Sequence, residues 1–264
     1  MTGPSSNPLL SAWAEGRPVF GMWLTMPGAL SAEIAAREGA DYVCVDNQHG
    51  LIDHSDTVPM LMAIGVGGSA PIVRAPWNEP SRIMAALDAG ALGVVIPMVN
   101  DAEEAQRAVS ACRFPPKGAR SYGPVRARYV LGTTDPDALN QVACIVMVET
   151  IGGLQHLDDI VSVPGVDAVY IGPSDLALAV GKKPGPRPFE DLAEQMALIK
   201  RACRAHGVAL GVHALGGDIA AHYAEDGFDM ITVGSDAAFL AAAVRQGLQA
   251  GRGGLERRNP EGGR

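Results

Sequence analysis

Lysine is scarce in this sequence. Only four lysines occur in 264 residues, Lys117, Lys182, Lys183 and Lys200, and all fall in stretches expected to be loops or a helix. An enzyme that works through an imine needs a lysine projecting from a strand into its site, so imine chemistry is not expected. Cysteine is scarce too. Cys44, Cys112, Cys144 and Cys203 are scattered and form no CxxC pair, which argues against structural zinc or a disulfide framework and for a reducing cytoplasm. No apolar run approaches the roughly 20 residues of a membrane span. Residues 1–10 lack a basic segment followed by an apolar stretch, so a signal peptide is not expected either. The net charge of −8 argues against a nucleic-acid partner. The one dense basic stretch, Arg113 to Arg128, is interrupted by Gly and Pro and suits a small anion or a subunit contact better.

What remains is an ordinary globular composition, with 47% hydrophobic and 19% charged residues. Short β-rich runs alternate with longer helical patterns, the mark of βαβ units and a parallel sheet. Strands are expected at 19–24, 42–46, 71–75, 93–98, 143–149, 168–172, 208–213 and 230–233. Helices are expected at 29–38, 80–89, 102–112, 188–205 and 218–225. Eight strands in strict alternation over this length point to one (β/α)8 TIM barrel spanning residues 1–250. The competing open, doubly wound sheet usually carries a GxGxxG turn after its first strand, and none is present. Residues 115–137 form a long insertion between the fourth and fifth strands, expected on the catalytic face. The tail 251–264, GRGGLERRNPEGGR, lacks apolar content and is expected to be disordered.

In such barrels the polar residues just after the strands point into the catalytic mouth. The second strand ends in VDNQH (Asp46, Asn47, Gln48, His49), the third in Arg74 and the fifth in Glu149, while the sixth runs through YIGPSD to Asp175. His49 and Arg74, like Glu149 and Asp175, are separated by about one strand-helix-strand step, so each pair belongs on adjacent strands. Two neighbouring carboxylates repel and need a cation or a shared proton. Spacing leaves three readings of Glu149 and Asp175 open: a site for a hard divalent ion, local capping and hydrogen bonding, or a proton-sharing acid/base pair. Arg74 reads as a salt bridge to a rim carboxylate or as a fork for a substrate carboxylate or enolate oxygen. His49 reads as a satisfied loop histidine or a general acid/base, and His213 is a weaker second candidate. His54, His156, His206 and His222 are read as structural.

At these residues the chain resembles the HpcH/HpaI family of class II pyruvate aldolases. The stretches that carry the likeness are GMWLTMPGALSAEIAAREGADYVCVDNQHG, PIVRAPWNEP, GALGVVIPMVNDAEEA, VMVETIGGLQHLDDI and VYIGPSDLALAVG. The resemblance covers roughly residues 7–248 and implies a homo-oligomer, commonly a hexamer, acting on pyruvate and an aldehyde. It implies that Glu149 and Asp175 hold a divalent metal (Mg2+ or Mn2+, or Co2+) and that Arg74 lies near the pyruvate oxygens. It further implies that His49 is the active-site histidine, paired with Asp88 from a neighbouring subunit. The turn at Gly172, Pro173 and Ser174 would receive the pyruvate carboxylate.

Two positions depart from the family pattern. Gln48 stands where the family usually has Glu, and Met147 where it often has Gln. Both border the expected substrate pocket, and they bear on the acceptor pocket and on the tuning of a metal-bound water. The implied reaction is reversible retro-aldol cleavage of a 4-hydroxy-2-oxo acid, with His49 and metal-bound water moving the proton. Rival readings are a malyl- or citramalyl-coenzyme A lyase, with the Arg113–Arg128 stretch holding coenzyme A phosphates, and a 2-oxo-acid decarboxylase. A non-catalytic barrel that binds a small acid is the reading of another class.

Overall fold

The computed structural model describes residues 7–258. Eight parallel strands, β1 (Val19–Leu24), β2 (Tyr42–Asp46), β3 (Ala70–Arg74), β4 (Gly93–Ile96), β5 (Ala143–Val148), β6 (Ala168–Ile171), β7 (Ala209–His213) and β8 (Met230–Ser235), close in sequence order into one barrel. The expected (β/α)8 architecture is the observed one. Strand bounds move by a residue or two: β4 stops at Ile96 rather than residue 98, and Glu149 lies one residue beyond β5.

Alternation along each strand divides the core in two. Val43, Val45, Val94, Ile96, Val146 and Val148 face outward and meet the helices. Tyr42, Cys44, Val95, Ile145, Met147 and Tyr170 face inward and fill the barrel. Period-two burial on both faces is why the strands read as nearly continuous apolar runs. Inside, the Tyr42 and Tyr170 hydroxyls share hydrogen bonds with Thr232 Oγ1 at 2.8 and 2.6 Å. Both phenols are thereby hydrogen-bonded although fully buried, and burial drives their pKa values up.

The helix Pro8–Ala14 seals the N-terminal end of the barrel. Asn7 caps it through Leu9 N–H, and the Asn7 amide donates to Leu92 O at 2.6 Å and Gln141 O at 3.1 Å. The helix after β2, His54–Gly67, starts with a capping box built on Asp53 and Asp56. The sixth connection, expected as one helix over 188–205, is split into Pro188–Asp191 and Ala193–His206.

One expectation about position is overturned. The 115–137 insertion follows the helix Ala102–Cys112, which has already returned the chain to the N-terminal end. The insertion therefore packs at the closed end, opposite the mouth. Arginines of the basic stretch Arg113 to Arg128 are engaged there: Arg113 with Asp167 at 2.9 Å, Arg120 with Asp88 at 2.8 Å, and Arg126 on Ala89 O at 2.6 Å. Within one chain it cannot present coenzyme A phosphates to the mouth. The last helix, Asp236–Arg258, runs on past residue 251, where a disordered tail was expected to begin; residues 259–264 of that tail lie outside the described residues. Among the described residues no helix is long and apolar enough to cross a membrane.

Candidate active site

A cavity of about 270 Å3 opens at the C-terminal end of the barrel. His49, Arg74, Met147, Glu149, Gly172, Pro173, Ser174 and Asp175 all line it, so most of the residues singled out in the sequence converge. Two do not. Gln48 stays out of the cavity wall, and its buried Oε1 has no hydrogen-bond partner. Asp88 closes the helix Pro80–Asp88 at the opposite end of the barrel, paired with Arg120.

On the β2–β3 side, register sets Asp46 directly beside Arg74. Arg74 donates from Nε to Asp46 Oδ1 at 2.8 Å and from Nη2 to Oδ2 at 2.5 Å, a two-pronged pair. Trp23 Nε1–H adds a bond to Oδ2 at 3.1 Å, and the backbone N–H groups of Gln48 and His49 point at Oδ1. Burial would raise the pKa of Asp46, but these donors and the charge of Arg74 outweigh it and hold the carboxyl below its usual range. Asp46 thus fixes Arg74, Trp23 and the loop carrying His49 together. The guanidinium also lies 5.1 Å from the Trp23 ring centre. Of the two sequence readings of Arg74, the salt bridge is the one observed, with Asp46, and the guanidinium still borders the cavity.

On the β5–β6 side the carboxylates are less well served. Glu149 is 2% exposed and accepts one hydrogen bond, from Met98 N–H to Oε1 at 2.9 Å. Met98 holds φ at 59°, a left-handed conformation that non-glycine residues seldom adopt, and so turns its N–H toward the carboxylate. Burial first, and then the neighbouring Asp175 charge, push the Glu149 pKa up to about 7, against the pull of Met98 and Arg74. Its other oxygen crosses Gly172 so closely that a Cβ there would lie 2.2 Å from Oε2. The absence of a side chain at Gly172 thus leaves room for this path of Glu149, just before the helix Pro173–Ala179 begins.

The pair fits a divalent ion by its donor chemistry. Two hard oxygen donors with an unbalanced charge, one of them nearly stripped of hydrogen bonds, suit a cation that keeps water or substrate oxygens in its remaining positions. Among the described residues no three His, Cys, Asp or Glu side chains cluster with metal-ligand geometry, so any such centre rests on two carboxylates.

Sequence reading passed over Trp23, Tyr170 and Asp236 here and gave His213 only as a weaker second candidate. Trp23 and Tyr170 stack at 5.5 Å between ring centres and floor the cavity. Asp236 accepts from Thr25 N–H, Thr25 Oγ1 and Met26 N–H at 2.9, 2.8 and 3.1 Å, fixing the β1 loop that forms one wall. His213, at the end of β7, meets Trp23 edge-on at 5.4 Å. Burial, then the charge of Arg74, drop its pKa to about 4 despite Asp46, so its imidazole is neutral near pH 7.

Known proteins place this geometry in context. A model of the HpcH/HpaI aldolase/citrate lyase family matches residues 19–243. A hydroxypyruvate/pyruvate aldolase of Rhizorhabdus wittichii is 42% identical over 243 residues, covering 91% of this chain and 96% of that protein. A 4-hydroxy-2-oxo-heptane-1,7-dioate aldolase of Escherichia coli is 35% identical, over 90% of this chain and 92% of that one. Among solved structures, an HpcH/HpaI aldolase/citrate lyase family protein of Burkholderia cenocepacia superposes with a TM-score of 0.85 at 34% identity, over 94% of this chain and all of that one.

Proposed function

The chain belongs to the HpcH/HpaI aldolase/citrate lyase family and is a carbon–carbon lyase of the pyruvate-aldolase type, and we propose that it cleaves a 4-hydroxy-2-oxo acid reversibly into pyruvate and an aldehyde with the help of a divalent metal. The observation that carries this reading is the buried Glu149 beside Asp175, a pair with uncompensated charge facing Arg74 across one cavity. Glu149 and Asp175 would hold Mg2+ or Mn2+, or Co2+. When bound, such an ion supplies Lewis acidity that polarises the 2-oxo carbonyl and acidifies the adjacent carbon.

The protein's own groups do the rest. Arg74, fixed by Asp46 and Trp23, meets the negative charge that develops on the C2 oxygen as the C3–C4 bond breaks. The turn at Gly172, Pro173 and Ser174 receives the substrate carboxylate, because the N–H groups opening the following helix point outward. His49 takes the proton from the C4 hydroxyl in cleavage and returns it in synthesis. Gln48 and Met147 shape the surroundings: Gln48 adds no charge, and Met147 offers a thioether where a polar group could stand.

Asp88 cannot orient His49 within one chain, since the two lie at opposite ends of the barrel. Their pairing requires a second copy, which we propose as part of a homo-oligomer, a hexamer by likeness to the family. The last helix favours self-association. Phe239, Leu240, Val244 and Leu248 are exposed along it, while Phe20 and Met22 of β1 and Val233 of β8 are only partly covered. A neighbour's helix would cover both surfaces. Four free, buried cysteines suit a reducing cytoplasm.

A pyruvate-release assay with and without EDTA tests the proposal. Cleavage that survives full metal removal, or that is unaffected in Glu149→Ala, would sink the metal role.

A further inference from the structure

A second, smaller cleft of about 30 Å3 adjoins the mouth and shares Pro173, Ser174 and His213 with it. One water-sized group needs about 10–15 Å3 on this measure, so the cleft takes roughly two such groups. That is room for a hydroxymethyl or hydroxyethyl arm.

Its polar lining is distinctive. His213 stands between the two spaces and makes no hydrogen bond to the described residues of this chain, so its neutral ring offers one donor and one acceptor. Asp191 forms the far wall, its carboxylate lying against Gly185. The nearby Lys182 ammonium bonds the Asp191 backbone carbonyl and leaves that carboxylate unpaired among the described residues. Among the described residues no Lys or Arg lines the small cleft, and the one Lys or Arg lining the larger cavity, Arg74, is already held by Asp46. A hydroxyl entering the cleft meets partners of both kinds. A carboxylate entering it meets the Asp191 carboxylate, with the Lys182 ammonium outside the lining and turned to the Asp191 backbone.

Resting on the aldolase reading above, we infer that this cleft selects short, uncharged, hydroxylated aldehydes over apolar or carboxylated ones, with His213 hydrogen-bonding the aldehyde's hydroxyl. His213 is in this view a specificity-determining residue, touching the arm beyond the carbon that forms the new bond. A site built to hydrogen-bond a hydroxyl discriminates strongly against the analogue that lacks it, because its own polar group is then left unpaired.

The test compares kcat/KM for glycolaldehyde, its near-isostere propanal, and succinic semialdehyde, each with pyruvate and Mg2+ or Mn2+. Wild type should favour glycolaldehyde over each of the others by about tenfold or more. H213L should collapse the glycolaldehyde-to-propanal ratio by about tenfold, and H213N, which keeps a donor and an acceptor, should restore part of it. D191N should raise the succinic semialdehyde-to-glycolaldehyde ratio several-fold. A wild-type preference for succinic semialdehyde, or ratios unchanged in H213L and H213N, overturns the inference. Exchange of the pyruvate methyl protons in D2O, followed by NMR, reads the donor half-reaction without any aldehyde. Metal-dependent exchange with no preference among aldehydes, or no turnover of any, defeats the cleft proposal alone; absence of both exchange and turnover defeats the aldolase reading beneath it.

Discussion

The two sides of the mouth each bury a carboxylate at a strand end, yet they treat it in opposite ways. Asp46 collects donors from Arg74, Trp23 and two backbone N–H groups and stays ionised below its usual range. Glu149 has one backbone donor and a like-charged neighbour, and its pKa rises to about 7. The side whose charge is balanced within the fold serves as framework. The side whose charge is left over is where we propose that an external cation binds. Burial alone does not separate the two, since both groups are almost fully enclosed; the count of donors does.

This contrast can be broken experimentally, and the largest effect is expected at the unbalanced side. Glu149→Gln should lower kcat/KM on the order of a thousandfold, the equivalent of about 4 kcal/mol of transition-state stabilisation. EDTA should inflict a similar loss on the wild type and little more on the variant, read by pyruvate release. A variant within tenfold of wild type would remove the contrast.

On the balanced side the main cost should appear as stability. Asp46→Asn strands a buried guanidinium and should cost about 3–5 kcal/mol in denaturant unfolding. Adding Arg74→Met should return much of that stability without returning activity. If Asp46→Asn unfolds like the wild type, the pair is not the framework described here.

The raised Glu149 pKa carries a pH dependence with a definite sign. Between about 4.5, its ordinary value, and about 7 the folded protein holds a proton that the unfolded chain has released. Stability of the metal-free protein should therefore fall as pH rises through that window, by on the order of 3 kcal/mol in all. Glu149→Gln should flatten the profile, and thermal melts across pH 4–8 in EDTA would reveal it.

The smallest effect is expected at the one donor Glu149 possesses. Met98→Gly keeps the N–H and relaxes the left-handed backbone, so stability should change by no more than about 1 kcal/mol. Activity should stay within a few-fold, read by the same pyruvate assay. A much larger loss would mean that the Met98 side chain, rather than its amide, matters to the site.

Much of this arrangement was legible before any coordinates. Alternating patterns gave the barrel, and the separation of Glu149 from Asp175 put them on adjacent strands; β5 and β6 do pair, but Glu149 lies one residue beyond β5 and Asp175 in the first turn of the helix Pro173–Ala179. The role of Asp46 was harder to see, because it depends on a register that sets it beside Arg74 across two strands. A signal did exist: both residues close their strands one strand-helix-strand unit apart. His213 was legible only as a weaker candidate, because the cleft in which we propose its role is formed with residues from the sixth connection, distant in sequence. The insertion at 115–137 was set on the wrong face although its position could have been reasoned out. A segment that follows a helix in such a barrel emerges at the N-terminal ends of the strands.

Gly172 carries a consequence for comparing sequences within the family. The Glu149 carboxylate crosses where a side chain at 172 would begin, so any larger residue there would displace it. The two positions should therefore be inherited as a unit. A homologue with alanine or anything bulkier at 172 should also have abandoned the glutamate or rerouted it. Substitution at this glycine becomes a marker, readable without a structure, for barrels that keep the family's outline but have parted from its chemistry.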